Sequence, residues 1–320
     1  SSGNTTLREA AAKHGLYMGA ARNYFHNLGD AGYKALFDTQ YDLNTAENAC
    51  KWSPTEPAEG QFNYSQCTSV ASAAAASGSV FRGHNLCWGN YNPSWLTAPG
   101  FNASQLQHFL EDHVRTLIQH YQADKFVAWD VVNEAFSSSP QPGKSPFKPV
   151  TPWSNLTNYV EIAFQTARSV TSEPILFYND YGAEGMNAKS DAIYEWAKGM
   201  KAKGLLDGIG LQMHVSTTHA PSTSEVSSNI ARLCSAGLKV HITEMDVKCE
   251  KGCSDSELQK QALVYAGMLK ACLTNSCCKS FETWGATDKY TWLGSDMKPL
   301  PFDIDFKPKP AVQAMLAVLA

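Results

Sequence analysis

Two acidic residues stand at the ends of apolar, strand-like segments of this sequence. Glu134 follows the run 126–132 and Asn133, and Glu244 follows the run 238–243. A carboxylate at the rim of an apolar core is costly unless it is paired, solvated or used in chemistry. Cleavage of a glycosidic bond needs one protonated carboxyl and one ionised carboxyl. The pair therefore predicts sugar chemistry, against the alternative that both are ordinary salt-bridged surface residues.

The residues near Glu244 favour a nucleophile at that position. Asp246 lies two residues further on, so both side chains can share one face of a strand. His214, from a neighbouring strand, could bridge them and keep Glu244 ionised and oriented. His241 would point to the opposite face, and we interpret it as an ordinary strand histidine rather than a metal ligand. Aromatic rings suit the apolar faces of pyranoses, and three tryptophans are candidates for that contact: Trp88, Trp284 and Trp292.

Eight strand-like segments alternate with helix-like segments, which predicts an α/β fold, a (β/α)8 TIM barrel with one domain over 1–320. A doubly wound sheet is disfavoured because no glycine-rich phosphate loop is present. The predicted strands are 16–20, 39–47, 79–88, 126–134, 174–178, 208–213, 238–243 and 280–284. The predicted helices are 71–76, 104–118, 159–170, 188–203, 258–273 and 311–319, with a capping box of Ser104 and Gln107 in the second.

Polar residues gather at the carboxyl ends of these strands, which form the catalytic face of such a barrel. The segment 137–152 is rich in Ser, Pro and Gly. We interpret it as an active-site loop rather than a domain linker, because the alternation continues after it. The strand-end residues are Glu47, Asn48, His84, Asn133, Glu134, Asn179, Asp180, Gln212, His214, Glu244, Asp246 and Trp284.

The composition is ordinary for a globular enzyme. The 320 residues have a net charge of −4 and are 43% hydrophobic and 18% charged, enough for a large core. The mild acidity and the lack of a basic cluster give no reason to expect nucleic acid, and no apolar run could span a membrane. We expect no cofactor and no metal. The polar start at Ser1 is expected of a processed chain.

Cysteines and glycosylation sequons favour a secreted glycoprotein with disulfides. Nine cysteines leave at least one thiol unpaired. Cys50 and Cys87 could pair, or each could be a buried thiol. The favoured local disulfides are Cys249–Cys253 and Cys272–Cys278, a zinc site from Cys249, Cys253, Cys272 and Cys277 being disfavoured by spacing. The sequons begin at Asn4, Asn63, Asn102 and Asn155.

A series of motifs, taken in order, resembles the family 10 glycoside hydrolases, the endo-β-1,4-xylanases. The resemblance extends from Tyr17 to the last predicted helix, and Cys272 with Cys278 matches a disulfide common in fungal members. The motifs are Glu47-Asn48-x-x-Lys51-Trp52, Arg82-Gly83-His84, Trp129-Asp130-Val131-Val132-Asn133-Glu134, Asn179-Asp180-Tyr181, Gln212-x-His214, Thr243-Glu244-x-Asp246, and Trp284-Gly285 with Trp292.

The resemblance implies a (β/α)8 barrel that hydrolyses internal xylosidic bonds with retention, by double displacement. It implies that Glu134 is the acid/base and Glu244 the nucleophile, with support from His214 and Asp246. Asn133 would bond the sugar 2-hydroxyl. The expected partner is xylan or xylo-oligosaccharide, bound by a secreted monomer. The predicted substrate-binding residues are Glu47, Asn48, Lys51, His84, Trp88, Tyr91, Asn179, Gln212, Trp284 and Trp292.

The chain departs from the family pattern after Trp88. The family usually has His at the next position and Gln three residues after the tryptophan, whereas this chain has Gly89 and Tyr91. The catalytic pair is untouched, so the implied reaction type stands. A β-1,4-glucan-active or dual xylanase/cellulase is the first alternative. A non-catalytic glycan-binding barrel is the second, and the presence of both carboxyls disfavours it.

Overall fold

Nine strands and eleven helices are found in the computed structural model, which describes residues 5–320. The strands are β1 (Tyr17–Arg22), β2 (Leu43–Ala46), β3 (Val80–Cys87), β4 (Ala128–Asn133), β5 (Ile175–Asp180), β6 (Gly208–Leu211), β7 (His214–Ser216), β8 (Lys239–Lys248) and β9 (Cys278–Thr283). The helices are α1 (Leu7–Ala12), α2 (Tyr24–Gly29), α3 (Ala31–Gln40), α4 (Trp52–Thr55), α5 (Ser65–Ala76), α6 (Ala103–His120), α7 (Tyr159–Val170), α8 (Ala188–Ala202), α9 (Thr223–Ser235), α10 (Asp255–Leu273) and α11 (Pro310–Val318).

Eight of the strands close into a parallel barrel. Their order is β6-β5-β4-β3-β2-β1-β9-β8, and pairing of β6 with β8 closes the ring. The short β7 pairs only with the outer half of β8, from His214 opposite Asp246 onwards. Because all strands run the same way, their carboxyl ends meet on one face. The predicted (β/α)8 barrel is confirmed.

The boundaries of several elements differ from the sequence-based predictions. Residues 39 and 40 belong to α3 rather than to the second strand, because Asp30 caps a helix that runs on to Gln40. The box that caps α6 is formed by Asn102 with Gln105, two residues before the predicted pair. Helix α9 was not predicted. The predicted strand 208–213 ends at Leu211, because Met213 has a left-handed backbone conformation, with a φ of 65°.

The interior of the barrel holds a charged cluster beneath the catalytic face. Arg82 on β3 donates from Nε to both oxygens of Asp130 on β4, at 3.1 and 3.0 Å. Its Nη1 lies 2.8 Å from Nδ1 of His241 and 3.7 Å from Oε1 of Glu282. Burial raises the pKa of Glu282 to about 7, although the guanidinium opposes this. Such buried charges persist only when they are paired. His241 is part of this cluster, because its Nδ1 faces the guanidinium of Arg82.

Gly83 shows why this motif requires a glycine. A Cβ atom there would lie 2.2 Å from the indole of Trp129, so any side chain would collide with the ring. The small residue lets β3 pack flat against Trp129 while Arg82 and His84, on either side, point into the barrel. The Arg82-Gly83-His84 motif therefore combines one packing position with two interior polar positions.

Three disulfides cross-link the described chain: Cys50–Cys67, Cys234–Cys277 and Cys272–Cys278. The last is the local pair that the sequence favours. The predicted Cys249–Cys253 bridge is not formed, since both residues are buried thiols and Cys253 lies 3.5 Å from the carbonyl oxygens of Asp296 and Met297.

The other cysteine alternatives are also decided by these bonds. Cys50 bonds to Cys67 on α5, which leaves Cys87 a buried thiol. The disfavoured zinc site is not formed, because Cys272 and Cys277 are both in disulfides.

Within residues 5–320, no helix combines the length and apolar character needed to cross a membrane. The sequon at Asn4 and the polar start at Ser1 lie outside the described residues.

Candidate active site

Glu134 lies directly after β4 and is surrounded by neutral hydrogen-bond donors. Its backbone has a φ of 56°, and its N–H donates to the carbonyl oxygen of Asn179 at 2.9 Å. The indole N–H of Trp88 donates to Oε2 at 3.0 Å. The amide of Gln212 donates to Oε1 at 3.1 Å. Both carboxyl oxygens are thus held by side chains that directly follow other strands of the barrel, β3 and β6.

The electrostatic surroundings of Glu134 favour its protonated form. Burial raises the pKa of this carboxyl most, and the nearby negative charge of Glu244 raises it further. The hydrogen bonds from Gln212 and Trp88 favour the ionised form but only partly offset these effects. A carboxyl with a raised pKa is suited to donate a proton near neutral pH.

Glu244 lies inside β8 and is held by an amide and an imidazole. Asn179 donates from Nδ2 to Oε2 at 2.7 Å, and Nε2 of His214 lies 3.1 Å from Oε1. Burial alone would raise the pKa of Glu244. The hydrogen bond from His214 and the positive charges of His84 and His214 outweigh burial, so the pKa is lowered. Glu244 is therefore ionised under conditions in which Glu134 keeps its proton.

His214 lies between two carboxylates, as the sequence predicts. Its Nδ1 lies 2.9 Å from Oδ2 of Asp246, and its Nε2 faces Glu244. Burial would lower the pKa of His214, but the charge and hydrogen bond of Asp246, with those of Glu244, raise it well above its usual value. The indole N–H of Trp292 also donates to Oδ2 of Asp246, at 2.8 Å. The imidazolium is thus fixed in both charge and orientation.

A chain of amide hydrogen bonds joins Glu134 to Glu244. Gln212 donates from Nε2 to Glu134 at 3.1 Å and to Oδ1 of Asn133 at 3.2 Å. Asn179 donates from Nδ2 to the same Asn133 oxygen at 2.9 Å and to Glu244 at 2.7 Å. Because Oδ1 of Asn133 accepts both bonds, its amide N–H2 points away from them. Among described residues that N–H2 group has no hydrogen-bond acceptor, so it can donate to a bound sugar.

Asn179 is placed differently from its predicted role in substrate binding. Both amide protons are used by Asn133 and Glu244, and Oδ1 accepts from the hydroxyl of Thr243 at 2.6 Å. No amide proton of Asn179 remains for a sugar. A Cβ atom on Gly210 would lie 2.3 Å from this Oδ1, so the glycine leaves room for the amide. In the structure, Asn179 orients Glu244 and Asn133.

Lys51 occupies the floor of the cleft on the side of Glu47 and Asn48. Its ammonium donates to Oδ1 of Asn48 at 2.7 Å. Burial lowers the pKa of Lys51, while the charges of Glu244, Glu47 and Glu134 act in the opposite direction. Three aromatic rings surround the ammonium, at 4.9 Å for Trp88, 4.8 Å for Tyr91 and 5.7 Å for Trp284. Such a group favours cation–π contact and, at its rim, the apolar face of a sugar.

Glu47 and His84 are each positioned by a polar side chain, Asn23 and Asp130 respectively. Asn23, the cap of α2, donates from Nδ2 to Oε2 of Glu47 at 3.0 Å. Asp130 lies 2.8 Å from Nδ1 of His84, whose ring packs edge-on to Trp284 at 5.1 Å. Asp130 belongs to a motif already noted, whereas nothing in the local sequence marks Asn23.

The segment that departs from the family pattern forms one wall of the cleft. Tyr91 has a φ of 60° and is 47% exposed, and Ser53 fixes its carbonyl oxygen from N and Oγ at 3.0 and 2.8 Å. A Cβ on Gly89 would lie 3.1 Å from Cβ of Val150, so that side chain fills the space beside the glycine. Val150 comes from the segment 137–152, which therefore reaches the cleft as an active-site loop would.

Comparisons with known proteins find similar sequences and structures over nearly the whole chain. The family model for glycosyl hydrolase family 10 matches residues 6–318. The chain is 39% identical over 280 residues to an endo-1,4-beta-xylanase B of Neocallimastix patriciarum, covering 87% of this chain but only 32% of that protein. It is 34% identical to an endo-1,4-beta-xylanase B of Thermotoga neapolitana, covering 97% of this chain and 90% of that protein.

A solved structure shares the architecture almost throughout. Xylanase 10B from Thermotoga petrophila RKU-1, crystallised in complex with xylobiose, superposes with a TM-score of 0.94 at 34% identity. The match covers 100% of this chain and 98% of that one. The chain spans about a third of the Neocallimastix relative and nearly all of the two Thermotoga proteins.

Proposed function

The chain belongs to glycosyl hydrolase family 10, and on that premise we propose that it is a retaining endo-β-1,4-xylanase that cleaves internal xylosidic bonds. One observation carries the proposal. A half-buried carboxyl, Glu134, and a buried one, Glu244, lie on the same face, joined through amide side chains, and their pKa values are displaced in opposite directions. A retaining glycosidase needs such a pair, with one protonated and one ionised member.

In the first step, Glu134 donates its proton to the glycosidic oxygen while the Glu244 carboxylate attacks the anomeric carbon. The bond from that carbon to the leaving oxygen breaks, and an ester bond to Glu244 forms. The leaving sugar departs as a neutral alcohol. This step requires a carboxyl separation of about 5–5.5 Å, since no water enters between the two groups.

In the second step, Glu134 acts as a base. Formation of the ester removes the negative charge of Glu244, which is one of the two main causes that raise the pKa of Glu134. The pKa of Glu134 therefore falls, and its carboxylate can take a proton from water as that water attacks the anomeric carbon. The ester to Glu244 breaks, and the sugar leaves with its original anomeric configuration.

The proposed substrate is xylan or a xylo-oligosaccharide. The free amide N–H2 of Asn133 would donate to the 2-hydroxyl next to the cleaved bond. His84, Trp88, Gln212, Trp284 and Trp292 would line the same subsite, and Glu47, Asn48 and Lys51 would hold the next sugar on the non-reducing side. The complex of the Thermotoga petrophila relative with xylobiose supports this choice.

A glucan substrate is less well supported. The missing side chain at Gly89 leaves no empty volume, because Val150 packs there. The ring of Tyr91 lies 4.8 Å from the ammonium of Lys51, and in the proposed binding mode it would take up room that an additional hydroxymethyl group needs. We therefore propose that the wall around Tyr91 favours xylose over glucose units.

We also propose a secreted, monomeric glycoprotein with one catalytic domain. Three disulfides in the described chain support an oxidising compartment. The sequon asparagines Asn63, Asn102 and Asn155 are exposed and accessible to glycosylation. The ring of His14, after α1, lies 3.0 Å from the carbonyl oxygen of Leu319, after α11, so the first and last helices are joined by this contact.

Product analysis tests the main proposal. We expect hydrolysis of glucuronoxylan and arabinoxylan to short oligosaccharides, with the β-anomer formed first in proton NMR. An α-anomer formed first would contradict the retaining mechanism. Comparable rates on xylohexaose and cellohexaose would replace the xylanase assignment with a dual activity. Binding of xylohexaose without turnover would make the protein a glycan-binding barrel.

A further inference from the structure

We propose that Glu184 is a positioning residue that sets the geometry of both catalytic carboxyls through the backbone N–H of Met213. The inference rests on the proposed function, because it concerns Glu134 and Glu244 as the catalytic pair. Glu184 lies in the loop between β5 and α8 and touches neither carboxyl. Its side chain is buried at 5% exposure, and no step of the mechanism uses it.

The carboxyl of Glu184 closes a break between two strands. Its Oε1 accepts from the N–H of Gly182 at 3.1 Å and from the N–H of Met213 at 3.0 Å. Met213 is the second of the two residues between the end of β6 and the start of β7. The neighbouring backbone groups are bonded to strands: Gln212 N–H to Asp180, and Met213 C=O to the N–H of Asp246. Glu184 thus supplies the partner that the sheet does not provide for Met213.

Met213 requires such a partner because its backbone is strained. Its φ is 65°, in the left-handed region that a residue with a long side chain rarely adopts. A conformation of this kind is costly and persists only when its surroundings fix it. This left-handed residue is also the reason that the predicted strand 208–213 ends early.

The break directs two neighbouring side chains to different carboxyls. Gln212 donates to Oε1 of Glu134, while His214 faces Oε1 of Glu244 at 3.1 Å. If the strand continued unbroken, residues 212 and 214 would have parallel side chains on one face. The left-handed turn at Met213 therefore lets the two residues that flank it bond to different carboxyls, Gln212 to Glu134 and His214 to Glu244. Glu184, by holding that turn, acts on both.

The loop that carries Glu184 is itself anchored. Asn229, buried on α9, donates from Nδ2 to the carbonyl oxygens of Ala183 and Glu184 at 2.9 and 3.1 Å. A Cβ on Gly185 would lie 3.0 Å from Pro221, which shows how closely the loop packs beside α9. The carboxyl is consequently presented to Met213 from a rigid support.

The test is the pH profile of kcat/KM on xylohexaose for Glu184→Ala. Without the turn, Gln212 no longer stabilises ionised Glu134, and His214 no longer stabilises ionised Glu244. Both pKa values then rise, so both the acidic and the basic limb move to higher pH, by about half a unit to one unit. We expect kcat/KM to fall about 10- to 100-fold.

Three further variants separate positioning from folding. Glu184→Gln keeps an oxygen acceptor and should recover most of the loss. Met213→Gly combined with Glu184→Ala should recover part of it, because glycine adopts a positive φ without strain. Glu56→Gln is the matched control: Glu56 is buried and accepts a backbone N–H, from Gly60 at 3.0 Å, but is bonded to neither catalytic carboxyl. Its limbs should stay in place.

The outcomes are distinguishable. A folded Glu184→Ala variant whose limbs do not move would overturn the inference, as would a Glu184→Gln variant as impaired as Glu184→Ala. If Glu184→Ala does not fold, Glu184→Asp decides by the same limb shifts, because its shorter side chain draws the oxygen away from Met213. A wild-type protein that does not hydrolyse xylohexaose would instead reject the proposed function.

Discussion

Glu134 and Glu244 are the same residue type on one face of the barrel, the first half-buried and the second buried, yet their pKa values move in opposite directions. Burial acts on both and would raise both. Glu134 is bonded by two neutral donors and faces a negative charge. Glu244 is bonded by an amide and by an imidazole whose raised pKa keeps it charged. The charge of the hydrogen-bond partner, rather than burial, therefore decides which carboxyl is ionised.

The two strands also end differently at these residues. β4 ends at Asn133, so Glu134 has a left-handed backbone and takes its partners from the residue after β3 and from the segment after β6. β8 continues to Lys248, so Glu244 and Asp246 lie on the same strand with His214 opposite. Glu134 thus has hydrogen-bond partners from several parts of the chain, while Glu244 shares its own strand with Asp246.

The largest difference between the two residues should appear in their glutamine variants. We expect Glu244→Gln to lose about 10⁵-fold or more in kcat on every xyloside, since no group can then form the ester. Glu134→Gln should lose about 10²- to 10⁴-fold on xylan. It should lose far less in ester formation from an aryl xyloside with an acidic phenol, which departs without a proton. Burst kinetics measure the rate of ester formation. If Glu244→Gln kept its rate on the aryl xyloside and Glu134→Gln lost it, Glu244 would be the acid and Glu134 the nucleophile.

The acidic limb of the pH profile should respond to His214. Glu244 must be ionised to attack, so activity falls as the pH drops through its lowered pKa. His214→Asn removes the hydrogen bond and charge that lower this pKa, so the acidic limb should move to higher pH by about one unit or more. Asp246→Asn should move it in the same direction by less. Movement of the basic limb alone, measured as kcat/KM against pH, would break the comparison.

The basic limb should respond to Trp88 by a smaller amount. Glu134 must be protonated, so activity falls as the pH rises through its raised pKa. Trp88→Phe removes an N–H that favours the ionised form, and the pKa rises further. The basic limb should then move to higher pH by about half a unit to one unit, with the acidic limb fixed. Trp95→Phe is the control, since its indole donates to the carbonyl oxygen of Glu56 and should shift neither limb.

The smallest effect should be one of specificity without any change in ionisation. Tyr91 touches neither carboxyl, so Tyr91→Gln should leave both limbs in place. It restores the residue that the family usually has and removes a ring that stands over Lys51. The ratio of kcat/KM for xylohexaose over cellohexaose should fall by about tenfold or less. An unchanged ratio would show that this wall does not select the sugar.

The barrel, and the position of Glu134 and Glu244 at its strand ends, could be predicted from sequence because both depend on local pattern. Apolar runs that end in Glu134 and Glu244 identify strand ends, and alternation with helices leads to the barrel. The predicted end of the second strand lies within one residue of the end of β2. Its predicted start is wrong, because the helix that Asp30 caps, α3, runs on to Gln40. Local pattern cannot weigh such a cap against neighbouring propensity.

The polar contacts around the pair could not be predicted, because they form only when the barrel closes. Asn179 bonds Asn133 and Glu244 across 46 and 65 residues of sequence. Its amide could equally have faced a sugar, and nothing in its neighbours along the chain distinguishes these outcomes. The contact between Glu184 and Met213 needs both a loop conformation and a left-handed residue. Likewise, the short disulfide Cys272–Cys278 was predictable, whereas Cys234–Cys277 was not.

The adjacent cysteines at the start of β9 also determine how the chain would survive cleavage. Cys277 is bonded to α9 through Cys234, and Cys278 to α10 through Cys272. A peptide bond cut at the turn 250–252 therefore yields two fragments that stay covalently joined through Cys234–Cys277. Glu134 and Glu244 both lie on the N-terminal fragment, and the disulfide keeps β9 and Trp284 attached to that fragment until a reductant breaks the bond. Closing a loop of 43 residues also restricts the unfolded chain, by about 4 kcal/mol.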